Sequence, residues 1–389
     1  MQVAQQSKSS MTSRGAPIRV LHLGYGGRGG GVGQIITDLA SEMANQFQCS
    51  VVFYGVFTAF AGYVQQLKSS GVLCYDVPKV PGLDPRGLRR IADIVSRERP
   101  DVIISYGPST GIYRLILRLK TGLQPKWILV DQDGHYSDTR TLTYRIKYRI
   151  GAAFADCIVF PSADTLKLVS QLYRSAVRGK RRIVIHNGSD LRTCPAGRLQ
   201  TDNVPTLTMV GQFSERKDQA TLLRAFAIVL KHADARLWLV GDGLEEALKG
   251  LASDLGVEPA VTFWGFQNTT QVQEILSRTT VYCFSSRCES FGIAVLEAMV
   301  AGLPIVACDV EGIRTLIQHG RSGLLAPPHN PAALAKLILG CLEDPALRVK
   351  LGQAARARAI AEFSIERCAA AYGDLVMQLV QPNVRRLTG

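Results

Sequence analysis

Short apolar runs alternate with amphipathic segments along this chain, and the alternation occurs in two successive series. In the first half, 101–105 and 157–160 are apolar runs of strand length, and helical periodicity fills the intervals, as in 85–97. The alternation of apolar runs and amphipathic segments begins again at 207–210. Strands that alternate with helices in this way form a parallel sheet covered on both faces. The sequence therefore predicts an α/β protein of two doubly wound, Rossmann-like domains that face each other across a cleft.

The predicted strands of the first series are 18–23, 51–54, 101–105, 127–130, 157–160 and 182–186, and those of the second are 207–210, 236–240, 261–264, 281–284 and 305–308. A polar stretch rich in Thr, Gly and Pro separates the two series. At 389 residues the chain is also too long for one ordinary core. The predicted organisation is a disordered lead-in at 1–16, a first domain at 17–190, a linker at 191–205, a second domain at 206–363, and a C-terminal helix at 364–389 that packs back on the first domain.

The charge balance favours an anionic partner. Lys and Arg number 45 against 32 for Asp and Glu, a net charge of +13. Nucleic acid, an anionic membrane face and a phosphorylated substrate all satisfy such a surplus. The nine cysteines include no C-x-x-C pair, which favours a reducing compartment. The N-terminus carries no signal-like apolar core and no membrane span is evident, so we expect a cytoplasmic protein, at most peripherally attached to the inner face of the membrane.

Two carboxylates eight residues apart, Glu289 and Glu297, are the strongest functional signal. The apolar run 281–285 leads into them, and a helix-like stretch begins behind Gly292 and stops before Pro304. The amides of Ser290 to Ile293 then lie at a helix N-terminus, whose free N–H groups and positive dipole end suit a diphosphate. A sugar nucleotide needs polar partners for its sugar, phosphates and ribose, and this segment contains candidates for all three.

These residues resemble the family 4 retaining glycosyltransferases of the GT-B fold, also called group 1 glycosyltransferases. The resemblance covers essentially the whole chain and consists of five motifs in the family's order. They are Val210-Gly-Gln-Phe-Ser-Glu-Arg-Lys-Asp218, Val240-Gly-Asp-Gly243, Gly265-Phe266, Glu289-Ser-Phe-Gly-Ile-Ala-Val-Leu-Glu297 with Ala-Met-Val-Ala-Gly-Leu-Pro after it, and His319-Gly-Arg-Ser-Gly-Leu-Leu-Ala-Pro327. A bare Glu-x7-Glu is weak evidence, whereas five motifs in order are specific.

The resemblance implies a donor site in the second domain and an acceptor site in the first. By that analogy Glu289 contacts the donor sugar, Glu297 the ribose, and the amides near Phe291 to Ile293 the diphosphate. The alternative for Glu297 is a surface carboxylate on a helix.

Arg216 and Lys217 are the cations expected at the leaving diphosphate, where fixed charge stabilises the transition state. A solvated basic turn is the alternative for this pair. The remaining donor-side candidates are Gly211, Gly243, Ser290, Phe291, Gly292 and, from the loop after the first strand, Gly29, Gly30 and Gly31.

The sequence departs from the family pattern at three places. Many members have Arg directly after the glycine where this chain has Gln212, and Arg216 is the candidate replacement. After the strand ending near 130, the usual histidine position holds Asp133, and His135 follows two residues on. Either side chain is a candidate for the acceptor side, and a solvated loop residue is the alternative for both. The third departure is Thr315, where the family usually has Glu.

The predicted function is retaining transfer of a hexosyl-type sugar from a nucleoside-diphosphate sugar to an acceptor hydroxyl, lipid-linked or on an oligosaccharide, in polysaccharide or glycolipid assembly. No metal and no cofactor is expected. A nucleotide-sugar epimerase of the same architecture and a non-catalytic nucleotide-sugar-binding protein are the alternatives. The basic segments 140–149 and 174–182 predict either contact with an anionic membrane or a solvated helix face. Nucleic acid is a poor candidate because only Tyr144 and Tyr148 could stack on bases there.

Overall fold

The chain divides into two compact units, each held together by its own internal contacts. The computed structural model describes residues 16–27, 31–56, 58–80, 84–133, 141–190 and 204–381. One unit comprises Met1–Gly188 and Ile365–Gly389, and the other comprises Ser189–Ser364. Most of the predicted lead-in and linker lies outside the described residues, as do Gly29, Gly30 and His135.

The first unit contains a seven-stranded parallel sheet in the order β3-β2-β1-β4-β5-β6-β7. Its strands are β1 (Arg19–Gly24), β2 (Gln48–Gly55), β3 (Leu73–Pro78), β4 (Val102–Tyr106), β5 (Lys126–Val130), β6 (Cys157–Phe160) and β7 (Arg181–Val184). Its helices are α1 (Gly31–Met43), α2 (Ala61–Ser69), α3 (Pro85–Glu98), α4 (Gly111–Thr121), α5 (Leu142–Phe154), α6 (Ala163–Leu172) and α7 (Arg174–Val177). The predicted strands and the helix at 85–97 are therefore found with small shifts at their ends.

The second unit contains a six-stranded parallel sheet in the order β10-β9-β8-β11-β12-β13. Its strands are β8 (Thr206–Val210), β9 (Arg236–Val240), β10 (Val261–Phe263), β11 (Val281–Phe284), β12 (Ile305–Cys308) and β13 (Leu324–Ala326). Its helices are α8 (Gln219–Val229), α9 (Glu245–Asp254), α10 (Thr269–Ser277), α11 (Ile293–Val300), α12 (Glu311–Leu316), α13 (Pro331–Glu343) and α14 (Pro345–Glu362).

Local sequence explains where several helices begin. Asp84 accepts a hydrogen bond from the Arg86 N–H and precedes Pro85, so it caps α3. Asn330 and Pro331 start α13 in the same way, with Asn330 accepting a hydrogen bond from the Ala333 N–H at 2.9 Å. The apolar stripe of α13 faces the core through Leu334, Ile338 and Cys341.

The last helix, α15 (Ile365–Val380), belongs to the first unit and packs against α1. Its buried side chains include Tyr372, Leu375 and Val376. Cys157, Cys283 and Cys308 are buried and free, as expected for cysteines that act as small core residues. Within the described ranges, no helix is both long and apolar enough to cross a membrane.

Candidate functional site

The carboxyl ends of β8 and β9 are joined by the two glycine motifs. Gly211, directly after β8, donates its N–H to the Val240 carbonyl at 2.9 Å, and the Phe213 N–H donates to the Asp242 carbonyl at 2.6 Å. Gly243 has a φ of 126°, and a Cβ there would contact the Phe213 carbonyl oxygen. Only glycine tolerates both conditions. Both predicted glycines therefore lie at the edge of the sheet where a parallel α/β domain binds its ligand.

Lys217 and Glu289 meet at this edge although they are far apart in sequence. The Lys217 ammonium forms an ion pair with Glu289 Oε2, and only 14% and 10% of the two side chains are exposed. Lys217 Nζ also lies 4.9 Å from the centre of the Phe284 ring at the end of β11. A Cβ on Gly211 would stand 3.7 Å from Lys217 Cε. The structure thus brings Gly211, Lys217 and Glu289 together.

The backbone that carries Lys217 is held by the segment after β11. Ser285 Oγ donates to the Asp218 carbonyl at 2.7 Å, and Ser286 Oγ donates to the Arg216 carbonyl at 3.0 Å. The Arg287 N–H donates to the same Arg216 carbonyl at 2.8 Å. These bonds tie the loop after β8 to the loop that contains Glu289. The side chains at the two loops are therefore positioned as one group.

Asp218 adds an ionic contact to this connection. Its carboxylate is buried, accepts from Thr221 Oγ1 at 2.8 Å, and lies 3.3 Å from Arg287 Nε and 3.2 Å from His329 Nδ1. Its φ of 51° is left-handed, a conformation that Asp and Asn adopt more easily than most residues. Sequence reasoning missed Asp218, Arg287 and His329, because their contacts join three loops that are distant along the chain.

Arg216 differs from its neighbour Lys217 in its charge environment. Its side chain is half-buried, and within the described part of the chain no carboxylate forms an ion pair with it. Burial raises the pKa of the Cys288 thiol to about 11, and the charge of Arg216 acts on that pKa in the opposite direction. The charge of Arg216 therefore reaches the segment before Glu289. Arg216 is therefore a cation at this site that the Lys217–Glu289 pair leaves uncompensated.

The start of α11 is shaped by two close approaches. Gly292, the residue before the helix, has a φ of 96°, and a Cβ there would collide with Ile313 at 2.7 Å. The Gly312 N–H donates to the Glu289 carbonyl at 2.9 Å, and a Cβ on Gly312 would lie 2.5 Å from the Phe291 nitrogen. Segment 289–292 is therefore fixed by backbone packing. Ile293 opens α11 at the position where helix N–H groups lack partners within the helix.

Ser290 and Phe291 are both buried, and they contribute to the site differently from Glu289. The Phe291 ring packs edge-on against Phe363 in the core, with centroids 5.7 Å apart. Its side chain therefore anchors the loop, and its backbone is the part that can serve a ligand. Glu297 lies half-buried on α11. Burial holds the pKa of the Tyr282 phenol well above its usual value, and the charges of Glu297 and Glu289 act in the same direction, so both carboxylates lie near this one phenol.

In the first unit, the turn after β5 is held by the tyrosines of α5. Tyr148 donates to Asp131 Oδ2 at 2.7 Å, and Tyr144 donates to Asp133 Oδ2. Burial, reinforced by these carboxylates, raises the pKa of both phenols, so they remain protonated donors. Tyr148 is fully buried and stacks on Tyr173 with centroids 4.4 Å apart. Tyr148, one of the two tyrosines considered for stacking on bases, is therefore enclosed within the unit, whereas Tyr144 is half-buried.

The other predicted site residues of the first unit are placed only in part. Gly31 is exposed and is the first residue of α1, the helix that follows β1. The side-chain amides of Gln132 and Asn187 exchange two hydrogen bonds of 2.9 and 3.0 Å, which fix the centre of the Asp131–Asp133 turn. Asp133 thus lies in a rigid turn at the carboxyl edge of the first sheet.

Solved structures with similar coordinates define the fold class. Sucrose-phosphate synthase (tll1590) from Thermosynechococcus elongatus superposes with a TM-score of 0.79 at 20% identity, covering 94% of this chain and 100% of that one. Anabaena Alr3699/HepE in complex with UDP and glucose superposes with a TM-score of 0.78 at 21% identity, covering 93% and 100%. Together with the two parallel sheets, these likenesses show the GT-B fold.

Family models and sequence relatives complete the assignment. The model for glycosyl transferases group 1 matches residues 196–358, and that for glycosyltransferase family 4 matches residues 29–193. The lipopolysaccharide core biosynthesis glycosyltransferase LpsE of Rhizobium meliloti (strain 1021) is 29% identical over 295 residues, covering 74% of this chain and 78% of the relative. The N-acetyl-alpha-D-glucosaminyl L-malate synthase of Bacillus anthracis is 33% identical over 178 residues, covering 46% of each. The chain belongs to the group 1, family 4 glycosyltransferases.

Proposed function

We propose that this glycosyltransferase moves a hexosyl-type sugar from a nucleoside-diphosphate sugar to an acceptor hydroxyl with retention of anomeric configuration. The observation that carries the proposal is the buried pair of Lys217 with Glu289 beside the start of α11. Glu289 would accept hydrogen bonds from the sugar hydroxyls, and Glu297 from the ribose. Donor binding by the second unit needs no metal and no cofactor in this proposal.

The charges of the site suit a departing diphosphate. Lys217 and Glu289 largely compensate each other, so Arg216 supplies net positive charge, and the amides at the start of α11 add the positive end of its dipole. As the bond between the anomeric carbon and the phosphate oxygen breaks, negative charge develops on that oxygen. Preorganised cations and N–H groups stabilise this charge without reorganising.

The state of Glu289 distinguishes between two ways of retaining the anomeric configuration. A carboxylate paired with a lysine ammonium is a weaker nucleophile than a free one, so a covalent glycosyl-enzyme is disfavoured. We therefore propose a same-face displacement, in which the acceptor oxygen bonds to the anomeric carbon as the phosphate leaves. The acceptor proton passes to the leaving phosphate oxygen. In the first unit, Asp133, held by Tyr144, is our candidate for binding the acceptor.

The acceptor class is inferred from relatives. The relative from Rhizobium meliloti is named for lipopolysaccharide core biosynthesis, and the Anabaena structure contains UDP and glucose. We propose a lipid-linked or oligosaccharide acceptor in cell-surface polysaccharide or glycolipid assembly, with the enzyme acting in the cytoplasm, at most peripherally attached to the inner face of the membrane. Non-catalytic binding is excluded if turnover is detected, and an epimerase would return an altered nucleotide sugar instead of a glycoside.

Replacement of Lys217 by alanine tests the assignment. The proposal expects thermal stabilisation of the wild-type protein by at least one sugar nucleotide from a panel of UDP-, GDP- and ADP-sugars. With that donor, Lys217→Ala should lower kcat by about two to three orders of magnitude, as the loss of a charge-stabilising group does. Lys231→Ala, at an exposed lysine after α8, is the matched control and should retain activity.

Two results would contradict the proposal. Near-normal turnover by a folded Lys217→Ala protein removes Lys217 from the mechanism. Proton NMR of the glycoside reports its anomeric configuration, and an inverted product would refute same-face displacement.

A further inference from the structure

Helix α5 (Leu142–Phe154) has two faces with different partners. Its inner face carries Tyr144, Tyr148, Gly151 and Ala152, of which the last three are buried. Through Tyr144 this face holds Asp133, the candidate acceptor residue. The function proposed above uses only this inner face, so the composition of the opposite face requires a separate explanation.

The outer face of α5 is apolar along its middle and basic along its sides. Leu142 is 73% exposed and Ile146, one turn later, is 50% exposed. Half-buried Ile150 and exposed Ala153 continue this line. The exposed cations Arg145, Lys147 and Arg149 flank or interrupt it, and the helix contains no acidic residue. We call Leu142, Arg145, Ile146, Lys147 and Arg149 the outer face.

The cations of the outer face differ from Lys180, Arg181 and Arg182, because the side chains of those three residues are used within the fold. Lys180 donates to the carbonyls of Ala153 and Ala155 at 2.6 and 3.2 Å, and so caps the end of α5. Arg181 donates to Gln378, and Arg182 donates to Ser170 Oγ at 3.1 Å. Within the described part of the chain, no ion pair or side-chain hydrogen bond involves Arg145, Lys147 or Arg149. Their charge is therefore available to a partner outside the unit.

We propose that the outer face docks on the surface of a bilayer that contains anionic phospholipid. Long basic side chains beside an exposed aliphatic line suit the boundary between headgroups and acyl chains, because the aliphatic groups enter the acyl boundary while the cations remain among the phosphates. A polyanion in solution would use the cations and leave Leu142 and Ile146 exposed to water. The inference rests on the proposed function in one respect, which is that docking through α5 would place the Asp133 turn near a lipid-linked acceptor.

Co-sedimentation of the full-length protein with vesicles tests the docking surface. Wild type should bind vesicles of phosphatidylcholine mixed with phosphatidylglycerol, bind pure phosphatidylcholine much more weakly, and lose affinity as salt is raised. Arg145→Gln with Lys147→Gln should weaken binding roughly twenty-five-fold, at about fivefold for each cation. Ile146→Glu should weaken it by at least about tenfold through loss of apolar burial.

Matched controls separate local docking from general charge attraction. Arg89→Gln with Arg90→Gln removes the same charge from exposed positions on α3 of the same unit. Ile360 on α14 is 49% exposed, so Ile360→Glu matches Ile146→Glu in chemistry and exposure. Both control proteins should bind vesicles as wild type does.

Three outcomes would overturn the inference: no binding of wild type to anionic vesicles, equal losses in the α3 and α5 charge variants, or normal binding by Ile146→Glu. Normal binding by Ile146→Glu would indicate that the protein adheres to the vesicles by charge alone. Heparin, a soluble polyanion, would compete with the vesicles for such binding. Thermal stabilisation by the sugar nucleotide is measured on the same proteins. Retained stabilisation with lost vesicle binding supports docking by α5, and failure of vesicle binding in wild type leaves the proposed transferase function intact.

Discussion

The pairing of Glu289 with Lys217 limits the chemistry that this carboxylate can perform. A general base or nucleophile works best when its lone pairs are free to reach a proton or carbon, and here one oxygen of Glu289 is engaged by an ammonium in a mostly buried position. Hydrogen-bond acceptance from sugar hydroxyls uses the remaining lone pairs. The residue is therefore better suited to hold a sugar than to attack it.

His22, at the centre of β1, leads to a prediction about the stability of the protein in acid. The side chain is fully buried, Nδ1 lies 3.1 Å from the Tyr106 hydroxyl, and Nε2 has no hydrogen-bond partner among the described residues. Burial lowers the pKa of His22 from 6.5 to about 3. Below pH 6.5 the unfolded chain binds a proton that the folded chain does not. The free energy of unfolding should therefore fall as pH decreases from about 6.5 towards 3, by about 2 kcal/mol at pH 5.

Urea denaturation at pH 7 and pH 5 measures this contribution. His22→Leu should be less sensitive to acid than wild type by about 2 kcal/mol, whatever its stability at pH 7. His232→Leu, at an exposed histidine, should keep the acid sensitivity of wild type. Equal acid sensitivity in wild type and His22→Leu would show that His22 is protonated normally in the folded state.

At the level of elements, α12 supports the segment that carries Glu289. Gly312 lies in the first turn of this helix, and its lack of a side chain allows the helix to approach residues 289–291 directly. A methyl group at Gly312 would lie 2.6 Å from the Glu289 carbonyl oxygen and 2.5 Å from the Phe291 nitrogen. Both are backbone atoms, which cannot rotate away as the end of a side chain can.

Gly312→Ala should therefore displace the Glu289 segment. We expect a loss of about 1–3 kcal/mol in the free energy of unfolding from overpacking, and a fall in kcat/KM larger than this loss explains. Gly340→Ala is the control, because a Cβ there meets no atom within 4 Å inside α13. It should stabilise the protein by roughly 0.5–1 kcal/mol. Wild-type kcat/KM in Gly312→Ala would contradict the role given to α12.

The two strands that the sequence did not predict, β3 and β13, are both at the edge of a sheet. β3 exposes Leu73 and carries Asp76, and β13 has only three residues. Interior strands are buried on both faces and give continuous apolar runs, whereas edge strands need not, although the edge strands β7 and β10 are apolar enough to be predicted. Local sequence patterns have a second limit at the site. The motifs predicted that Lys217 and Glu289 serve one ligand, but local patterns could not predict their ion pair or the contact of Asp218 with His329, because these form only when distant loops pack.

For the whole molecule, the assignment of α15 to the first unit has an energetic consequence. Tyr372 on this helix is 1% exposed and lies in the first unit. Replacing it with alanine should cost about 3–5 kcal/mol, as for other large aromatic core residues. The loss should appear in the first unit, although residues 189–364 of the second unit separate Tyr372 from most of that unit in sequence.

Hydrogen exchange on Tyr372→Ala reports the two units separately. Amides of β1, β4 and β5 should exchange faster, whereas those of β8 and β11 should keep wild-type rates. Glu366→Ala, at an exposed position of the same helix, should alter neither set. Equal acceleration in both sheets would show that the two units unfold as one.

The return of α15 to the first unit also determines the order in which the ribosome supplies the residues of the two units. The second unit is continuous in sequence, so it has all of its residues before α15 is synthesised. The first unit begins earlier but lacks one of its helices until later, because α15, which packs on α1, is synthesised after the second unit. During translation the apolar surface of α1 that packs on α15 therefore stays uncovered until the second unit has been synthesised and α15 follows. A nascent chain stalled before residue 365 should thus be a better chaperone substrate than a chain that includes α15.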